Sequence, residues 1–126
     1  MTSNFGVIIQ KVETAHVVYF LDCRMDENAK IMAVKDKVLG FLEKLGEAPL
    51  LVMDMQRVDY LASMGLSMIA AIEKQVRKKG GKVVFCGAKP SLRELFRVTN
   101  MEKILTVVED QRHAMALLHP PFPPAR

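Results

Sequence analysis

The chain has 126 residues, half of them hydrophobic, with two cysteines, no tryptophan and a net charge of +4. This describes one domain that closes an aliphatic, methionine-rich core without metals or disulfides. The polar start Met1-Thr2-Ser3-Asn4 is no signal peptide and no apolar run is long enough to span a membrane, so a cytoplasmic protein without membrane insertion is expected.

Phe5 to Val12 and Val17 to Leu21 read as two strands, joined as a hairpin through Glu13-Thr14-Ala15-His16. Cys23 and Cys86 fall in predicted strands, without CxxC or a paired histidine motif, and are expected to be buried reduced thiols. Asp26 or Asn28 can cap the helix that follows. In it Ile31, Val34, Val38, Phe41 or Leu42, and Leu45 recur at spacings of three and four, which leaves Lys30, Lys35, Asp36, Lys37 and Lys44 outward. Gly46 suits the helix stop. Leu50-Leu51-Val52-Met53, bounded by Pro49 and Asp54, is a short continuous apolar run of the kind that forms a strand buried on both faces.

After Val58-Asp59-Tyr60-Leu61-Ala62 comes Ser63. From there Gly65, Met68 or Ile69, Ile72 and Val76 keep helical phase, with Glu73, Lys74, Gln75, Arg77 and Lys78 on the other side. Ser63 therefore stands at the N-terminus of a helix that follows a buried strand. The free N–H groups and the helix dipole both favour negative charge there, so a phosphate is well placed. Serine is also a good N-cap whatever the function. Ser67, one turn on, is the next hydroxyl and is expected to be less exposed.

Gly80-Gly81 ends this helix, and Lys82 to Cys86 is another strand. The GGK here is no phosphate-binding loop, because those glycines follow a helix and the wider motif is absent. Arg77-Lys78-Lys79 with Lys82 is the densest basic run; it meets the dipole of a helix end, and no aromatic residues interleave with it to stack bases. Direct nucleic-acid binding is not expected. Pro90 and Ser91 begin a shorter helix through Val98, with Ser91 able to cap. Asn100 can supply a left-handed turn. Ile104 to Val108 reads as a last strand and Asp110 or Gln111 to Leu118 as a last helix.

Strands alternating with helices after a hairpin make this an α/β domain with a largely parallel sheet, over residues 1–118. Residues 119–126 form a Pro-rich tail, His119-Pro120-Pro121-Phe122-Pro123-Pro124, that cannot continue a helix and is expected to be extended or disordered. Asp26 and Asp54 are both expected to approach the Ser63 end. Two carboxylates beside a hydroxyl can mean acid/base chemistry or a metal site. A helix cap for Asp26 and a strand-end hydrogen bond for Asp54 account for them without catalysis. His16, His113 and His119 have no spacing that links them to Ser63. No enzyme and no cofactor of its own is expected.

The run Leu50-Leu51-Val52-Met53-Asp54-Met55-Gln56-Arg57-Val58-Asp59-Tyr60-Leu61-Ala62-Ser63-Met64-Gly65-Leu66 resembles the STAS domain family, which includes bacterial anti-sigma factor antagonists. Gly80-Gly81-Lys82-Val83-Val84-Phe85-Cys86-Gly87, Leu95-Phe96-Arg97-Val98-Thr99-Asn100-Met101 and the Ala114 region resemble later family segments, so the likeness runs from about residue 5 to 118. It implies a mixed, mostly parallel β-sheet with about four helices packed on one face. Ser63 matches the family's phosphorylatable position, and acidic residues resembling Asp26 and Asp54 surround it. Ala62 and Met64 depart from the residues usual there. The implied partner surface is Asp26, Asp54, Ala62, Ser63, Met64 and Ser67.

The resemblance further implies a protein of a partner-switching pathway. Its partners would be an anti-sigma factor that is also a serine kinase, and a serine phosphatase. ATP and Mg²⁺ would belong to the kinase. A phosphorylation-independent STAS scaffold or transporter-regulating subunit is the alternative implied by the same family.

Overall fold

A computed structural model describes residues 6–118. Its central sheet has five strands: β1 (Val7–Val12), β2 (Ala15–Phe20), β4 (Leu50–Asp54), β6 (Lys82–Cys86) and β7 (Val107–Val108), hydrogen-bonded in the order β1-β2-β4-β6-β7. The β1–β2 hairpin is antiparallel and the remaining pairs are parallel. Two short strands, β3 (Arg24–Met25) and β5 (Tyr60–Leu61), form a separate parallel pair. The helices are α1 (Asn28–Lys44), α2 (Ser63–Lys78), α3 (Pro90–Val98) and α4 (Gln111–Leu118). The expected α/β class and mixed, mostly parallel sheet are therefore observed.

The helices do not all share a face. Val18, Leu51, Met53, Val83 and Phe85 point to one side, where Ile31, Val34, Val38 and Leu42 of α1, Met68, Ile69, Ile72 and Val76 of α2 and Leu92 and Phe96 of α3 cover them. Val17, Val52, Val84 and Cys86 point to the other side and pack against Ala114 and Leu118 of α4. Alternation along the strands creates two apolar faces, and each must leave water. So three helices cover one face and α4 the other, which corrects the single-face expectation.

Several element ends move for local reasons. Ala15 already pairs with Val12, so the hairpin turn is Glu13-Thr14, with Glu13 left-handed at φ 58°. Phe5 lies outside the described residues. Neither Asp26 nor Asn28 caps α1: Glu27 holds the cap position without a side-chain bond, and Asp26 accepts from Arg24 instead. Leu42 enters the core, whereas Phe41 sits on the flank with its ring 4.8 Å from that of His16. Gly46 does not turn the chain after α1; Ala48 takes the left-handed conformation (φ 56°), and the Lys79 ammonium donates to the carbonyls of Leu42 and Leu45 at 2.8 and 3.1 Å. A cation at the C-cap of α2 thus closes the negative end of α1.

Ser91 does not cap α3, which starts from Lys89 with Pro90 in its first turn. The strand expected from Ile104 shrinks to Val107–Val108, because Asn100 turns left-handed (φ 64°) into a 3₁₀ turn over Met101–Lys103. Asp110 does cap α4, its carboxylate accepting from the His113 amide at 2.9 Å. Cys86 is buried, and burial first, then the Asp54 and Asp110 charges, pushes its thiol up to about 12. Cys23 is exposed and lies just before β3, so only one of the two thiols is buried as expected. The Pro-rich tail lies outside the described residues.

Candidate functional site

The site is built on the small β3–β5 sheet. Its strands are two residues each, yet they alternate: Met25 and Leu61 are buried while Arg24 and Tyr60 face solvent. Arg24 lies opposite Tyr60 and Met25 opposite Leu61. The Asp59 amide donates to the Cys23 carbonyl at 2.7 Å and the Ala62 amide to the Met25 carbonyl at 2.9 Å, which carries the pairing one residue past each end. Ala62, extended at φ −75° and ψ 169°, delivers the chain into α2, and its carbonyl accepts from the Gly65 and Leu66 amides.

Gly65 explains why the helix can start here. A Cβ on it would fall 2.5 Å from Leu61 Cδ1, 2.9 Å from Leu61 Cγ and 3.6 Å from the Met25 carbonyl oxygen. The first turn of α2 therefore lies directly on the buried side of the β3–β5 pair, and a side chain at this position would have to displace that of Leu61.

Ser63 is the first residue of α2 and is exposed. The cap position belongs to Ala62, whose methyl group cannot hydrogen-bond, and the first turn carries no acidic residue. The first turn of α2 thus supplies no anion of its own to the positive end of the helix dipole. Met64 is 40% exposed. Ser67 is exposed as well, contrary to the expectation that one further turn would shield it, because the buried stripe of α2 runs through Gly65, Met68, Ile69, Ile72 and Val76 and leaves Ser67 on the outer side with Ser63.

The two carboxylates differ. Asp26 follows Met25, so it stands beside Ala62 at the mouth of α2, and it accepts from Arg24 Nε at 3.0 Å. Asp54 is 5% exposed at the end of β4, where its Oδ1 accepts from the Gln56 amide at 3.0 Å. It lines a cleft of about 220 Å³ with Tyr19, Phe20, Gln56 and Arg57. The strand-end hydrogen bond expected of Asp54 is present, and its carboxylate is enclosed instead of lying open at the surface. Among the described residues no group of three or more His, Cys, Asp or Glu side chains is placed to hold a metal ion. No described helix is long and apolar enough to cross a membrane.

The sequence missed the outer face of the β3–β5 pair, where the Arg24 guanidinium carbon lies 4.7 Å from the centre of the Tyr60 ring. Two-residue strands are too short for their alternation to register as a pattern. The sign that was present is the polar-apolar sequence Arg24-Met25-Asp26 set against Tyr60-Leu61-Ala62.

The sequence profile of the STAS domain matches residues 9–114. The protein BtrV of Bordetella bronchiseptica, named as a candidate anti-sigma factor antagonist, is 33% identical over 72 residues, which are 57% of this chain and 62% of that protein. An anti-sigma-factor antagonist (STAS) domain protein from Planctomyces limnophilus has the same fold, with a TM-score of 0.79 at 13% identity over 89% of this chain and 96% of the other. The Bacillus cell fate determinant SpoIIAA in its phosphorylated form aligns with a TM-score of 0.64 at 10% identity, over 88% of this chain and 98% of the other. Part of the murine anion transporter Slc26a9 also aligns, with a TM-score of 0.71 at 15% identity, over 86% of this chain and 18% of the transporter. By its sequence match across most of its length, and by the sheet order and helix placement that accompany it, the chain belongs to the STAS domain family.

Proposed function

We propose that this chain is an anti-sigma factor antagonist of a partner-switching pathway, working by binding and not by catalysis. Unmodified, it holds an anti-sigma factor that is also a serine kinase, at the surface around Asp26, Ala62, Ser63, Met64 and Ser67, with a contribution from Asp54 in its cleft at the end of β4. The kinase transfers the γ-phosphoryl group of ATP to Ser63. The Ser63 Oγ–P bond forms, the bond from the γ-phosphorus to the β,γ-bridging oxygen breaks, ADP leaves and the hydroxyl proton passes to a base of the kinase. A serine phosphatase restores the hydroxyl by hydrolysis. All of this takes place in the cytoplasm.

The observation that carries the reading is Ser63 itself: exposed, first in α2, and not occupied in capping. A phosphate there adds about −1.5 to −2 charge. The helix dipole favours that charge, so the fold tolerates it. On the partner surface the same charge meets Asp26 and must be desolvated, and a penalty of about 3 kcal/mol weakens binding on the order of a hundredfold. The names of BtrV and SpoIIAA support an anti-sigma partner and a phosphorylated state for those proteins.

The test is a titration of Ser63→Asp and Ser63→Ala against the purified kinase-type anti-sigma factor. Ser63→Asp should keep the fold and lose the partner, and Ser63→Ala should bind and resist switching by ATP. The fold also stands inside an anion transporter. Equal affinity of the two variants would move this chain to the phosphorylation-independent class of scaffold or transporter subunit.

A further inference from the structure

The outer face of the β3–β5 pair holds an ion pair that the switch just described leaves unexplained. Arg24 and Asp26 lie two residues apart on the same side, with Tyr60 and Ala62 beside them, because Met25 and Leu61 turn inward. Arg24 donates from Nε to Asp26 Oδ2 at 3.0 Å, and its guanidinium carbon lies 4.7 Å from the Tyr60 ring centre. Its side chain is 63% exposed. With Arg24 opposite Tyr60 and Met25 opposite Leu61, Asp26 comes level with Ala62, the residue before Ser63, and the exposed arginine that holds it has room to turn.

Two of the neighbouring charge pairs are already matched. On the α1 side Lys30 stands 3.7 Å from Asp22, and Glu27 lies at the start of the helix. On the α3 side Lys89 pairs with Asp59. The first turn of α2 contributes no carboxylate. Asp26 is the acid beside Ala62, and Arg24 is the cation that holds it.

Resting on the phosphorylation of Ser63 put forward above, we propose that Arg24 is the internal receptor of that phosphate and passes to it from Asp26. A phosphate carries more charge than a carboxylate and can accept from two guanidinium N–H groups, whereas Asp26 accepts only from Nε here, so it competes for Arg24 on favourable terms. The Tyr60 ring supports the guanidinium through its π face in either position. The exchange leaves Asp26 uncompensated. Phosphorylation then changes the partner surface twice, by the phosphate itself and by a carboxylate stripped of its cation.

The test needs no partner. Phosphoserine is installed at position 63 of the full chain, and its second ionisation, ordinarily near pH 6, is followed by ³¹P NMR. With Arg24 in contact the midpoint should lie below the ordinary value, and Arg24→Ala should raise it by about half a unit to one unit. Arg24→Lys should recover part of that shift, since it keeps the charge without the planar fork. Unchanged circular dichroism and thermal midpoint of both variants separate this from a general disturbance. The same phosphoserine midpoint in the parent and in Arg24→Ala overturns the assignment. Because the titration is made on the free chain, a failure of Ser63→Asp to release the partner would count against the proposed function and not against this contact.

Discussion

Residues within one turn of each other have different roles at the mouth of α2. Ser63 and Ser67 face outward, whereas Gly65 between them is buried against Leu61 and Met25. Helical phase alone decides this, since a stripe through Gly65, Met68, Ile69, Ile72 and Val76 leaves the serines opposite. Gly65→Val should overpack the contact with Leu61, whose side chain is itself held in the core, and cost about 1–3 kcal/mol. A thermal melt equal to the parent's would mean that α2 does not rest on the β3–β5 pair. Asp54 shows the limit of reading a residue by type. Its place at a strand end is legible, but its enclosure with Tyr19, Phe20 and Arg57 depends on which strands flank β4.

At the scale of elements, two glycines test the packing in opposite directions. Gly81 enters β6 against Pro49, and a Cβ there would lie 2.0 Å from the Pro49 carbonyl oxygen. That atom belongs to the backbone and is already committed to the Lys82 amide at 2.9 Å, so it cannot yield as a side chain can. Gly81→Ala should therefore cost about 3 kcal/mol or more. Gly40, within α1, has nothing within 4 Å of a Cβ position. Gly40→Ala should then raise stability by about 0.5–1 kcal/mol, by restricting the unfolded chain and favouring the helix. Denaturant melts of both variants check the signs. A destabilised Gly40→Ala would show that this face of α1 is covered.

The whole molecule depends on covering both faces of its sheet. The eight residues of α4 close the second face over Val17, Val52, Val84 and Cys86. Deleting residues 111–126 returns those side chains to water, at about 1.5–3 kcal/mol for each valine. Against a typical total of about 5–15 kcal/mol, cooperative unfolding should be lost. Truncation after His119 should instead leave the melting midpoint and partner binding where they were, because the prolines beyond lack amide donors and the apolar periodicity has ended by Leu118. Calorimetry on the two truncations separates these outcomes. A loss of stability in the shorter truncation would mean that the tail helps to cover the second face.

The sequence by itself determined the order of the longer elements. Continuous apolar runs marked the buried strands, and three-and-four spacing marked the helices and their inner faces. Asn100 could supply the left-handed turn now seen there, and the segment from Leu50 to Leu66 marked the family. These are properties of adjacent residues and of backbone preference, which the chain carries before it folds. Only the tertiary structure decided that α4 lies on the far side of the sheet, that Cys23 is exposed, and that Lys79 closes α1. It also set Arg24 between Asp26 and Tyr60 on the outer face of the β3–β5 pair. Each of these depends on which distant segments become neighbours, and on covering two apolar faces at once. Local periodicity contains neither.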